Sequence, residues 1–179
     1  MTTRVVFSGF GGQGVLTLGQ IVATIGMNQG KEVTWMPSYG PEMRGGTANC
    51  AVILSDKSIG SPQVLADIDV LCALNMPSID KFLPKVKPEG LVLYNSSIIT
   101  GSLPRTDVNV VAIDATNIAS GMGNLRVQNM VMIAGFLKAT DLFTKDDVEA
   151  ALQDKFGSNP KLLAVNIEAI DKGLNSLTT

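Results

Sequence analysis

Hydrophobic positions along this chain change their period where glycine intervenes. Val5-Val6-Phe7 is a short apolar run of the buried-strand type, and the hexapeptide GFGGQG, Gly9 to Gly14, follows it. Val15 to Ile25 then takes helical spacing, with the polar residues Thr17, Gln20, Thr24 and Asn28 confined to one narrow stripe. A helix that apolar is buried on most sides. Strand, glycine turn and buried helix open a Rossmann-like sheet, with N–H groups at the helix start aimed at whatever occupies the turn. The expected fold is therefore α/β, a Rossmann-like three-layer sandwich with a mixed, mostly parallel sheet. Gln29-Gly30-Lys31 stops the helix, and Glu32 to Met36 reads as a second strand. In a dinucleotide-binding fold that strand ends on an acid about 20 residues past the glycines. Here it runs out through Trp35-Met36-Pro37-Ser38-Tyr39, which counts against NAD.

PSYGPEMRGGTAN, Pro37 to Asn49, is too rich in proline and glycine for regular structure, yet it carries Tyr39, Glu42, Met43 and Arg44. Loops of this length are usually functional, and this one reads as a binding or docking loop. Asn49 to Ser55 resumes as a strand with no helix before it, so the two strands should pair antiparallel as a wide hairpin. Further on, Ser61-Pro62 predicts a short helix to about Ala66, and Val70 to Leu74 a buried strand stopping at Asn75. Ser78 is expected to cap a helix over Ile79 to Leu83 that Pro84 closes. Pro88-Glu89-Gly90 reads as a turn between it and a strand over Leu91 to Tyr94, and Val108 to Ile113 is the last strand. The parallel-type strands leave on Ser8-Gly9, Asn75, Asn95 and Asp114, small or polar residues at the edge where ligands bind in open α/β sheets. A helix spans Asn124 to Leu142, Thr144 to Asp147 form a capping box for the next, and Asn159-Pro160 starts a third. With no repeat or linker, residues 1–179 are expected to be one domain.

Composition sharpens the picture. Charged residues are 17% of the chain, against about 25% in ordinary soluble domains, while AVILMFWYC residues are 45% before 18 glycines are added. So little charge leaves a monomer short of polar surface, and the expectation is that another subunit covers part of it. A net charge of -2 gives no electrostatic case for nucleic acid or an anionic membrane. No apolar run has the length of a membrane span and no signal sequence opens the chain, so the expected location is the cytoplasm. Cys50 and Cys72 read as small buried hydrophobes. The chain has no histidine, which removes histidine-based nucleophile systems, proton shuttles and most zinc sites; two isolated cysteines hold no iron–sulfur cluster.

From Val5 to Phe136 the chain resembles the gamma subunit of thiamine-pyrophosphate-dependent 2-oxoacid:ferredoxin (acceptor) oxidoreductases. The resemblance rests on GFGGQGVLTLGQ (Gly9 to Gln20), VTWMPSYGPEMRGGTANC (Val33 to Cys50), SDKSIGSP (Ser55 to Pro62), NMPSIDKF (Asn75 to Phe82), VKPEGLVLYNSS (Val86 to Ser97) and NLRVQNMV (Asn124 to Val131). Its wording is closest to the 2-oxoglutarate and branched-chain 2-oxoacid members. The resemblance implies oxidative decarboxylation of a 2-oxoacid to acyl-CoA by a heteromeric complex, 2-oxoglutarate to succinyl-CoA being the expected case. It places thiamine pyrophosphate with its magnesium between alpha and beta subunits, iron–sulfur clusters on beta or delta, and ferredoxin or another acceptor on the complex. For this chain it leaves an assembly role, no catalytic residue, no metal, and coenzyme A as the one candidate ligand; isolated, it could form a homodimer. Gly9, Gly11, Gly12, Gln13, Gly14 and Arg44 are the candidate contacts to coenzyme A. Ser38, Tyr39, Gly40, Pro41, Glu42, Met43, Gly45, Gly46, Asn75 and Asn95 are candidates for the ligand or partner loop. In one reading the N–H groups of Gly11, Gly12 and Gly14 hold a phosphate and Arg44 pairs with it. In the other, the glycines permit close subunit approach and Glu42 and Arg44 form interface ion pairs.

The alternative from another class is a free-standing nucleotide-binding or NAD(P)/flavin-dependent reductase domain. The two separate on purification from the native source. Co-purification with two larger thiamine-enzyme subunits is the expected outcome; a solitary monomer that binds NAD or flavin would contradict it.

Overall fold

In a computed structural model residues 1–40 and 46–177 are described. One six-stranded sheet organises them, in the order β2-β3-β1-β4-β5-β6. The strands are β1 (Thr2–Phe10), β2 (Glu32–Tyr39), β3 (Thr47–Ser55), β4 (Ile68–Ala73), β5 (Val86–Asn95) and β6 (Asn109–Ile113). The helices are α1 (Val15–Asn28), α2 (Met76–Phe82), α3 (Ala115–Gly121), α4 (Gln128–Ala139), α5 (Lys145–Phe156) and α6 (Pro160–Ser176). β1, β4, β5 and β6 are parallel neighbours, whereas β3 runs antiparallel to both β1 and β2. The expected wide hairpin therefore forms, with Tyr39 level with Ala48. Pro37 fits β2 because that strand is at the sheet's edge.

Strand alternation divides the core between the two faces. Val5 and Phe7 of β1 pack with α1, α4, α5 and α6, while Val6, Leu71 and Val92 pack with Ile79 and Phe82 of α2. Phe7 sits level with Cys50 on one side and Cys72 on the other. Across the helical layer its ring lies 6.1 Å from that of Phe136, which in turn stacks on Phe143 at 5.2 Å. α1 approaches the hairpin closely because Gly19 faces Cys50 and Trp35; a Cβ there would lie 2.4 Å from the Cys50 sulfur. Both cysteines are free and buried, and burial pushes the Cys50 thiol up to about 12.

Five expectations are corrected. Residues 37–39 and 47–49, expected to lack regular structure, continue β2 and β3, and Ser38 and Tyr39 pair with Asn49 and Ala48 across the hairpin. No helix forms over residues 61–66. β3 ends level with the start of β1, at the edge where β4 begins, so the chain only steps across one strand and needs no crossover helix. The Ser61 hydroxyl accepts from the Gln63 N–H, a local turn. α2 starts at Met76 and its cap is Asn75, whose side-chain oxygen accepts from the Ser78 N–H at 3.0 Å, so Ser78 is the capped residue. Residues 88–90 do not break the strand: β5 continues through them over a bulge, with Glu89 at φ 61 and its N–H donated to the Asp107 carbonyl. The helix expected from Asn124 begins at Gln128 after a 3₁₀ turn over Leu125–Val127, and α3 before it was not anticipated. The Thr144 capping box and the Asn159 cap form as expected. Among the described residues no helix is long and apolar enough to cross a membrane.

Phe136 joins both halves of the helical layer to β1. Phe136→Ala is expected to lower unfolding free energy by about 3–5 kcal/mol in urea titrations; a loss below about 1 kcal/mol would show that this ring stack does not hold the layer to the sheet.

Candidate functional site

The glycine turn after β1 is tied at three points. The Gln13 side-chain oxygen accepts from the Phe10 N–H at 2.6 Å, and its amide nitrogen donates to the Leu74 carbonyl at 3.3 Å. Gly11 donates its N–H to the Gly46 carbonyl at 2.9 Å, which joins the turn to the start of β3. From α4, the Asn129 amide donates to the Gly14 carbonyl at 3.3 Å. Gly14, at φ 75, is the N-cap of α1, a conformation glycine adopts without strain. A Cβ there would lie 2.3 Å from the Asn129 amide nitrogen. Gly9 is equally confined, since a Cβ on it would meet Gln13 and Val15.

The turn forms one wall of a cavity of about 470 Å3 at the carboxyl edge of the sheet. The first turn of α1 forms its floor, Tyr39 closes the β2 side, and Gly46, Thr47 and Ala48 close the β3 side. α1 has no acidic residue in its first turn and no side-chain cap. Among the described residues, the N–H groups of Gly12, Gly14, Val15, Leu16 and Thr17 have no acceptor. These donors at the positive end of a 14-residue helix favour an anion. The described lining carries the Thr17, Thr47 and Tyr39 hydroxyls but no carboxylate, thiol or imidazole. Such a cavity can hold a phosphate; among the described residues its lining has no group suited to proton transfer or nucleophilic attack near neutral pH.

The structure brings Gly11, Gly12, Gly14, Tyr39 and Gly46 together at this cavity. Gly11, however, gives its N–H to Gly46, so it supports the turn and is not a donor to a ligand. Gln13 likewise spends its amide within the chain. Gly40 and the exposed Ser38 lead into the loop, whose residues Pro41, Glu42, Met43, Arg44 and Gly45 lie outside the described residues. Asn75 and Asn95 stand at the same edge but do not line the cavity. Asn75 caps α2, and Asn95 is fully buried, donating to the Thr116 hydroxyl at 2.8 Å, which donates onward to Gln128.

A dinucleotide would meet a different geometry. β3 lies between β1 and β2, which places the end of β2 two strand spacings, about 10 Å, from the glycine turn. β2 also ends on Ser38 and Tyr39 without an acid.

Comparison with known proteins decides the family. The pattern that defines pyruvate ferredoxin/flavodoxin oxidoreductases matches residues 4–176. The chain belongs to that family. The ketoisovalerate oxidoreductase subunit VorA of Methanothermobacter thermautotrophicus is 38% identical over 95% of this chain but 35% of its own length. The chain thus spans about a third of that relative. The 2-oxoglutarate synthase subunit KorC of Methanocaldococcus jannaschii is 34% identical over 97% of this chain and 92% of its own. Among solved structures, the Geobacter sulfurreducens keto/oxoacid ferredoxin oxidoreductase gamma subunit superposes with a TM-score of 0.80 at 28% identity, covering 98% of both chains. The Magnetococcus marinus 2-oxoglutarate:ferredoxin oxidoreductase, with 2-oxoglutarate, coenzyme A and succinyl-CoA bound, gives 0.86 at 26% identity, over 98% of this chain and 31% of that one.

Within this oxidoreductase family member, sequence reasoning missed Thr17 as lining and Asn129 as the brace on Gly14. Asn129 stands in the NLRVQNMV string that carried the resemblance, but nothing local links it to a turn 115 residues away. Gly14→Ala forces a left-handed alanine against Asn129 and is expected to cost about 1–2 kcal/mol or more in urea unfolding. Asn129→Ala should relieve part of that loss in the double variant. Additive effects, or a neutral Gly14→Ala, would contradict the brace.

Proposed function

We propose that this chain is the gamma subunit of a cytoplasmic 2-oxoacid:ferredoxin oxidoreductase and holds coenzyme A for a reaction completed on companion alpha and beta subunits. The single supporting observation is the cavity itself: N–H groups of Gly12 and Gly14 at the positive end of α1 that meet no acceptor among the described residues, within described walls that offer no reacting group. A phosphate of coenzyme A is the anion, and Tyr39, half-turned to solvent at the cavity's side, offers an aromatic face beside it. Arg44 adds a charge to that phosphate from the loop. Thiamine pyrophosphate, magnesium and the iron–sulfur clusters belong to the companions, which supply decarboxylation and electron transfer to ferredoxin or another acceptor. The relatives support 2-oxoglutarate as the oxoacid, with succinyl-CoA as product. A branched-chain oxoacid is the second reading, favoured by the ketoisovalerate relative at 38% identity.

Thr17 is the third residue of α1, where a carboxylate favours the helix but repels a phosphate. In the assembled complex Thr17→Glu should keep its melting temperature and raise the KM for coenzyme A on the order of tenfold. The KM for the oxoacid, measured with 2-oxoglutarate and 2-ketoisovalerate in parallel, should not move. An unchanged coenzyme A KM would overturn the reading, and unchanged affinity and turnover in Arg44→Ala would remove Arg44 from it.

A further inference from the structure

The two edges of the sheet are unlike in chemistry. At the amino edge, charges neutralise one another within the chain: Met1 and Lys31 pair with Asp56, Arg4 and Lys87 with Asp69, and Arg105 with Asp107. Among the described residues the other ion pairs lie on α5 and α6, and none stands at the carboxyl edge. That edge instead presents a row of large apolar side chains. Tyr39 is 62% exposed at the end of β2, Met76 43% after β4, Ile98 42% after β5, and Leu125 54% in the 3₁₀ turn leading into α4. Three of the four are held from beneath by an asparagine. Asn75 caps the helix that Met76 begins, and Asn95 accepts the N–H groups of Ile98 and Ile99 on its carbonyl, with Ile99 buried below. Asn124 accepts from the Arg126 N–H around Leu125. The nearby Asp114 carboxylate is held by the Ser97 hydroxyl and the Asn117 amide. Apolar side chains on turns already fixed in place lose little freedom when covered.

We infer that this carboxyl edge, along Tyr39, Met76, Ile98 and Leu125, is the surface on which the larger companion subunit sits. The occupant follows from the cavity on the same edge. If coenzyme A lies there, as proposed above, its thiol must meet a reacting carbon that this chain's described cavity residues do not activate. The mouth of the cavity therefore faces the polypeptide that does, and the apolar row continues from that mouth across β4 and β5. The lengths of the relatives point the same way. This module is about a third of VorA and of the Magnetococcus chain, so each carries some two-thirds of further polypeptide joined to the same unit. The companion is the separate counterpart of that remainder, with a largely apolar face matching the exposed Tyr39, Met76, Ile98 and Leu125.

The test uses the full chain and its companion subunits purified from the native source. Met76→Glu, Ile98→Glu and Leu125→Glu should each weaken association by about tenfold or more in biolayer interferometry. Val110→Glu, on the outer strand β6, and Leu65→Glu, in the loop before β4, alter apolar side chains that are likewise exposed and should stay within about twofold of wild type. A second measurement needs no variant: on assembly of the wild-type complex, amides of residues 75–79, 96–100 and 124–127 should gain protection from deuterium exchange, and those of residues 62–66 should not. Edge variants that assemble like the wild type, or protection confined to residues 62–66, would overturn the inference and leave the coenzyme A reading standing. Edge variants that abolish self-association of this chain while leaving its companions bound would make a second copy the occupant and overturn it also. A wild-type chain that binds no companion would end both.

Discussion

Everything at the functional edge depends on holding a glycine-rich turn in one shape. Glycine permits the left-handed N-cap at Gly14, but the same freedom would let the turn collapse onto its own helix. Three separate contacts prevent that. Gln13 staples the turn to β1 and β4, Gly46 anchors it to β3, and Asn129 reaches Gly14 from the start of α4. The N–H groups at the head of α1 are thereby fixed toward open space with no acceptor among the described residues. A helix end left in that state is costly unless water or a ligand satisfies it.

The sheet order then decides what that space can serve. An antiparallel β3 between β1 and β2 moves the end of β2 one strand farther from the turn than in a dinucleotide fold. Among the described residues, the hairpin's contribution to the cavity wall is Tyr39, Gly46, Thr47 and Ala48, none of them a ribose-binding acid. The result is a chain with the frame of a nucleotide-binding sheet and a cavity of backbone donors suited to an anion, with no reactive group beside it among the described residues. A low share of charge and an edge lined with apolar side chains complete a molecule suited to working inside a larger assembly.

Much of this was legible where the cause is local. The glycine turn, the capping box at Thr144 and the antiparallel hairpin each depend on residues near one another in sequence, and each appears as expected. The errors fall where distant geometry rules. Ser61-Pro62 has the chemistry of a helix start, yet β3 and β4 meet at one edge and leave a helix nothing to span. Pro88-Glu89-Gly90 has the chemistry of a turn, but the contact with Asp107 turns it into a bulge in a continuous strand. At the site, the glycines were visible as a group, while the division between donors left free and donors spent inside the chain was not. Gly11 and Gln13 are of the second kind because of Gly46 and Leu74, positions no local pattern connects to them.

The most direct measurement is a cryo-electron microscopy map of the complete complex with coenzyme A bound. The account predicts a phosphate of coenzyme A within hydrogen-bond distance of the Gly12 and Gly14 amides, its thiol arm leaving toward a companion subunit. A map in which coenzyme A touches no residue of this chain, with companion side chains filling the space in front of α1, would contradict it.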